Sequence, residues 1–134
     1  MRILLIHADR FSFRVTGETS VALPTELDKA KSEGEVGEAL VAFVAAEKGD
    51  ETNVGSVVDQ VIEQVLTVGA QLDTDNLVIY PYAHLSSTLS SPRGAVKLLD
   101  EICTRMQSHN QFKITRAPFG YYKAFEISCK GHPL

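Results

Sequence analysis

Eight consecutive residues, Ala39-Leu40-Val41-Ala42-Phe43-Val44-Ala45-Ala46, carry no polar side chain. A strand or helix with one face in water shows polar residues at a period of 2 or 3.6. A segment without them must be covered on all sides. Either a strand buried on both faces or a short buried helix meets that condition, and the β-branched and aromatic residues favour the strand.

The rest of the chain arranges itself around this run. Residues 2 to 7 form another apolar run, and Phe11-Ser12-Phe13-Arg14-Val15 alternates as a half-buried strand does. These two read as a hairpin joined near Asp9-Arg10. From Gly17 to Glu35 the chain is polar and contains Pro24, so the stretch reads as a solvated excursion, a loop or short helix.

Val54, Val57, Val58, Val61, Ile62, Val65 and Leu66 recur at three-and-four spacing behind the capping candidates Thr52 and Asn53, which predicts an amphipathic helix. Leu77-Val78-Ile79-Tyr80 is a short buried strand ending at Pro81. Ser91-Pro92 then supplies a cap and first-turn proline for a second helix with Ala95, Val96, Leu99, Ile102 and Met106 inward. Phe112-Lys113-Ile114-Thr115 and a last strand from about Tyr122 to Cys129 complete an α/β order β-β-β-α-β-α-β-β.

At 134 residues the chain has the size of one domain, 1–134, without internal repeats or a low-complexity tract. No apolar run approaches the roughly 18 residues of a membrane span, and the first residues lack the features of a secretory signal. Cys103 and Cys129 stand in dissimilar contexts without metal-ligand spacing, so no metal, no other cofactor and no disulfide is expected, and a reducing cytoplasm fits. Thirteen basic against seventeen acidic residues, a formal charge of −4, argue against a protein that grips nucleic acid by phosphate neutralisation alone. The ending at Lys130-Gly131-His132-Pro133-Leu134 reads as that of a piece of a longer chain.

Two segments carry candidate chemistry. Tyr80-Pro81-Tyr82-Ala83-His84-Leu85-Ser86-Ser87 follows a buried strand, where α/β sheets place ligand-binding loops. His84 there can serve as a general base or orient a substrate, or can be a loop histidine with a structural partner. Ser86 and Ser87 read as turn hydroxyls rather than nucleophiles. Arg116-Ala117-Pro118-Phe119-Gly120-Tyr121-Tyr122-Lys123-Ala124-Phe125 joins a tight turn to paired aromatics and a lysine. Such a segment can stack a nucleobase and bring an ammonium to a developing oxyanion; it can equally be a hairpin whose tyrosines cover a core edge. A nucleophilic pairing of Cys129 with His84 or His132 lacks a third member, and a late-strand cysteine reads better as a packed residue. His7 and Asp9 are left outside the candidate site. With no phosphate loop and no nucleotide fingerprint, pattern alone names no reaction.

Met1-Arg2-Ile3-Leu4-Leu5-Ile6-His7, the segment from Tyr80 to Ser87, the segment from Ala117 to Phe125, and Ile127-Ser128-Cys129-Lys130-Gly131-His132-Pro133-Leu134, taken in order, resemble the amino-terminal editing domain of archaeal threonyl-tRNA synthetases. The resemblance covers essentially the whole chain. It implies a D-aminoacyl-tRNA deacylase-like fold, mostly β sheet or barrel with two main helices, and a homodimer attached to the rest of a synthetase.

It also implies hydrolysis of L-seryl-tRNA(Thr), in a pocket on Ala46, Pro81, Tyr82, Ala83, His84, Phe119 and Tyr122. Lys123 would stabilise the oxyanion and His84 would orient. Ala46 stands where valine is expected in relatives, and the chain stops before a downstream acidic residue that the family pattern carries. Two other readings compete: a D-aminoacyl-tRNA deacylase, and a non-catalytic appendage for dimerisation or tRNA docking.

Overall fold

The structure is a computed structural model that describes all 134 residues. Its first element is a single strand, β1 (Arg2–Glu18), rather than a hairpin. The chain passes Asp9-Arg10 extended, with a register shift between Ala8 and Arg10 and a second between Val15 and Gly17. A polar pair with no glycine or asparagine at a turn position is accommodated as a bulge, which bends a strand without reversing it.

The excursion that follows is a one-turn helix, α1 (Glu26–Lys29), and a short strand that the sequence reading did not anticipate, β2 (Glu33–Val36). Next come β3 (Ala39–Ala45), α2 (Val54–Ala70), β4 (Asn76–Pro81), α3 (Pro92–Ser108), β5 (Lys113–Arg116) and β6 (Tyr121–Cys129). The expected order of strands and main helices therefore holds in number, because the strand lost from the supposed hairpin is replaced by β2.

The sheet runs β2-β1-β3-β4-β5, with β6 pairing the other side of β1. β1 is antiparallel to β2, β3 and β6, whereas β3, β4 and β5 are parallel and joined through α2 and α3. A straight strand of this length would span roughly 56 Å at about 3.3 Å per residue. A domain of this size has a radius of gyration of only roughly 14 Å. Yet Met1 and Thr19, just outside the two ends of β1, line one cavity. β1 therefore curls, and the sheet nearly closes on itself.

β3 is buried on both faces, as its uniform apolarity requires. Leu40, Ala42 and Val44 pack with α2 and α3 against Val58, Val65, Leu98 and Ile102. Ala39, Val41 and Phe43 face a second cluster with Phe11, Phe13, Val78 and Tyr80. Phe11, Phe43 and Tyr80 meet edge to face with centroids 5.4 to 6.0 Å apart, a geometry that adds to simple area burial.

Helix ends differ in how legible they are. Ser91 caps α3 as expected: its Oγ accepts from the Gly94 N–H at 3.1 Å, and Pro92 opens the first turn. Asn53 sits at the start of α2 but makes no side-chain cap, its Nδ2 donating instead to Thr52 Oγ at 3.4 Å. A turn of 3-10 helix, Asp50–Thr52, leads into α2 and provides the entry that a cap would otherwise give.

Candidate functional site

The carboxyl ends of the parallel strands β3 and β4 open onto a mostly apolar cavity of about 480 Å³. Parallel α/β sheets bind ligands at such ends, and this volume is in the usual range for a small-molecule site. Ala46, Pro81, Tyr82, Ala83, His84, Phe119, Tyr122 and Lys123 all line it, so every residue of the expected pocket lies around one space.

Strand pairing explains the convergence. Val44 lies opposite Pro81 in the β3–β4 ladder, the Tyr82 N–H donates to the Val44 carbonyl at 2.8 Å, and the Ser90 N–H donates to the Ala46 carbonyl at 3.0 Å. The loop after β4 is thereby stitched back along the end of β3. Glu47 secures it further, accepting from Ser86 Oγ at 2.7 Å and Thr88 Oγ at 3.2 Å. The Ser86 hydrogen bond holds the Glu47 carboxyl below the usual range. Ser86 is thus a turn hydroxyl engaged with a carboxylate, as its position suggested.

His84 lies on a single 3-10 turn, Ala83–Leu85, exposed at the mouth. Its ring meets Tyr82 edge-on at 5.1 Å, and neither ring nitrogen has a hydrogen-bond partner within the chain. Both nitrogens are therefore open to a ligand.

Lys123 enters from β6, where odd positions turn inward with Phe125 and Ile127 and even positions turn outward. Its ammonium donates to the Pro118 carbonyl at 2.7 Å and the Tyr121 carbonyl at 3.1 Å, and stands 5.1 Å over the Tyr80 ring. Burial pushes the group down to about 8 from its ordinary 10.5, with the charge of Glu26 acting in the opposite direction. An ammonium has three N–H donors and two are committed, so one remains for whatever fills the cavity. Tyr122, one residue earlier, is 62% exposed and touches only the rim.

The turn that carries these residues is held by a partner the sequence reading placed in solvent. Glu26, on α1, is 1% exposed. Its carboxylate accepts two hydrogen bonds from Arg116 Nη2, at 3.0 and 2.8 Å, and one from the Phe119 N–H at 2.9 Å. Arg116 also donates to Asp100 at 2.7 Å, and Lys29 donates to the same carboxylate at 2.9 Å. The only signal of this in the sequence is a carboxylate next to Leu27 in a polar stretch, which does not single it out.

Residues 19 to 23 complete the strap. Thr19 Oγ donates to the Gly120 carbonyl at 2.7 Å, and the Tyr121 hydroxyl donates to the Leu23 carbonyl at 3.4 Å. Gly120 has φ +86, and a Cβ there would lie 2.9 Å from the Val21 carbonyl oxygen, so both backbone and space demand glycine.

The alternative nucleophile is not assembled. Cys129 is exposed at the end of β6 opposite Ala8, and neither it nor His132 lines the cavity. His132 Nε2 instead lies 2.8 Å from His7 Nδ1, and His7 Nε2 lies 2.9 Å from Glu38. His7 is a buried strand histidine, and Asp9 pairs with Lys130. No group of three or more His, Cys, Asp or Glu side chains is placed to hold a metal ion. No helix is long and apolar enough to cross a membrane.

Comparison with known proteins follows the same lines. Residues 1–134 match the family described as the archaea-specific editing domain of threonyl-tRNA synthetase. Threonine–tRNA ligases of Methanobrevibacter smithii, Methanocaldococcus jannaschii and Pyrococcus horikoshii are 47, 46 and 42% identical over the whole chain. The chain spans about a fifth of the length of these relatives, 21 or 22%. Among solved structures, the c-Myc DNA unwinding element binding protein superimposes with a TM-score of 0.63 at 12% identity, over 96% of this chain and 91% of that one. At that identity the likeness concerns the fold, which is the D-aminoacyl-tRNA deacylase-like one expected.

Proposed function

The chain belongs to the archaea-specific editing domains of threonyl-tRNA synthetase, and from that premise we propose that it hydrolyses L-seryl-tRNA(Thr). A synthetic site shaped for threonine rejects serine weakly, because one missing methyl is worth only about 1 to 3 kcal/mol. A second site that admits serine and crowds the extra methyl of threonine corrects the error. The apolar wall of Val44, Ala46, Ala95 and Leu99 suits that sieve.

The observation that carries the reading is the Lys123 ammonium, kept in a desolvated place with one N–H uncommitted. Burying a charge opposes folding, so its retention is best accounted for by chemistry done there. The cavity is large enough for an aminoacyl group on its terminal ribose.

A water positioned in the cavity attacks the ester carbon with the help of the ribose 2'-hydroxyl. The carbonyl π electrons move onto oxygen, and the oxyanion receives the free N–H of Lys123. Collapse breaks the bond to the ribose oxygen, which leaves with the proton given up by the attacking water, releasing serine and tRNA. His84 orients the aminoacyl group from the mouth, and Tyr122 offers a face for the terminal base. No metal or other cofactor takes part in this scheme. The remainder of a synthetase, in the cytoplasm and as a dimer, supplies most of the grip on tRNA that this acidic domain lacks.

The test is hydrolysis of L-seryl-tRNA(Thr) beside L-threonyl-tRNA(Thr) and a D-aminoacyl-tRNA. Selective loss of the L-seryl ester is expected. Cleavage confined to the D-aminoacyl ester would place the chain with the D-aminoacyl-tRNA deacylases, and no cleavage would leave a docking role.

A further inference from the structure

We propose that Glu26, which touches no part of the cavity, is a positioning residue that sets the Phe119–Lys123 turn through its bonds to Arg116 and the Phe119 N–H. The inference rests on the reading of Lys123 as the oxyanion donor. Three observations carry it.

The first is that the ammonium is held by the turn itself. Lys123 donates to the carbonyls of Pro118 and Tyr121, so the third N–H points wherever the 118–121 backbone directs it. The Phe119 N–H lies within that backbone and donates to Glu26 at 2.9 Å. A shift of this turn moves the ammonium with it, and misplacements of about 1 Å cost on the order of a hundredfold in rate.

The second is that the anchor is rigid. Both Glu26 oxygens receive Arg116 Nη2, and Arg116 is fixed by Asp100 on α3. A planar guanidinium between two carboxylates has little freedom. The anchor thus ties the turn to the same helix whose Ala95 and Leu99 line the cavity wall. Donor and wall share one reference frame.

The third is electrostatic. Glu26 is the carboxylate whose charge reaches Lys123. No aspartate or glutamate lines the cavity. Glu47 and Asp50, from the segment after β3, are engaged with the Met1 ammonium at 3.5 and 2.9 Å. Glu26 therefore favours the protonated, donating form of Lys123 against the burial that disfavours it.

The experiment compares the unmodified protein with Glu26→Gln, which keeps the side chain's size and one acceptor but removes its charge. Hydrolysis of L-seryl-tRNA(Thr) is followed across pH, and the Lys123 Cε resonance is titrated by NMR in protein carrying labelled lysine. The expected result is kcat lower by roughly tenfold to a hundredfold with KM little changed, and a Lys123 titration displaced to lower pH. Breaking a buried pair endangers folding, so Glu26→Leu combined with Arg116→Met, an apolar replacement of the pair, provides a second variant. It should fold and still show the lowered kcat.

Amide exchange in the unmodified protein needs no variant: the Phe119 N–H should be protected like those of β5. Wild-type kcat and an unmoved Lys123 titration in a folded variant would overturn the proposal. So would a Phe119 amide exchanging at the rate of an open loop. If the unmodified protein does not cleave the ester, the functional reading fails, whereas the titration and exchange still decide whether Glu26 holds the turn.

Discussion

Lys123 Nζ donates to the carbonyl of Pro118, five residues back along its own chain, at 2.7 Å. The bond closes the β5–β6 turn into a small ring with the charged group at its edge. The lysine thus holds the turn that aims it.

Replacement of Lys123 by Met keeps an unbranched side chain out to Cε and removes the donors. Loss of one oxyanion donor typically costs about 10² to 10³ in kcat, and a fall of that size is expected for seryl ester hydrolysis. Relief of a desolvated charge opposes the loss of the bonds to the Pro118 and Tyr121 carbonyls, so thermal unfolding is measured beside the rate to establish that the variant is folded. A variant that keeps full activity would remove Lys123 from the chemistry.

The pH profile follows from the same group. If the ammonium donates to the oxyanion, kcat/KM, corrected for spontaneous hydrolysis, is level below about pH 8 and falls above it as Lys123 loses its proton. A rate that climbs through that pH would assign the lysine to proton removal instead. Stability moves the opposite way. The folded-state value is depressed below the unfolded 10.5, so the penalty for burying the charge is complete below about pH 8 and is relieved as pH rises from there towards 10.5. Denaturant unfolding across that window should show this contribution in the parent and not in Lys123→Met.

His84 has both ring nitrogens free at the mouth, so on the proposed reading His84→Ala removes a hydrogen bond to the ligand and, from the fold, only the edge-on contact with Tyr82. A neutral hydrogen bond contributes about 0.5 to 1.5 kcal/mol, which predicts a loss of roughly twofold to tenfold in kcat/KM and an unchanged melting temperature. A loss as large as that of the lysine variant would make His84 a proton-transfer group.

Cys129→Ala should keep most of the activity, since the thiol is exposed outside the cavity. Complete inactivation, or a seryl-enzyme adduct detected by mass spectrometry in the parent, would replace the water mechanism with covalent catalysis.

Ala46 tests the sieve. Its side chain lies in the apolar wall at the end of β3, and Ala46→Val adds two methyl groups there. Overpacking costs typically about 1 to 3 kcal/mol, so threonyl ester hydrolysis should fall about tenfold or more relative to seryl. Equal effects on the two esters would show that the methyl of threonine does not meet this wall.

Much of the architecture was legible because its cause is local. A run with no polar residue had to be covered on all sides, and its β-branched and aromatic residues favoured the strand that is β3; Ser91-Pro92 favours a helix start, and the segments around His84 and Lys123 occupy the ends of strands that the sequence itself delimits. Asn53, a capping candidate with Thr52 by residue type, makes no side-chain cap, because capping depends on backbone direction at the helix entry, where a 3-10 turn precedes α2.

From the sequence alone came the two-sided burial of β3, the two amphipathic helices, and the two segments around His84 and Lys123, whereas the place of Ala46 in one pocket with them came from the family resemblance. Only the tertiary structure decided that Asp9-Arg10 is a bulge within one long strand. A polar pair is compatible with a turn or a bulge, and pairing with β2, β3 and β6 along its length makes the choice. It alone also decided that Glu26 is buried. The two groups its carboxylate accepts from lie 90 and 93 residues away in the chain, and neither periodicity nor composition within a short window carries information across that distance.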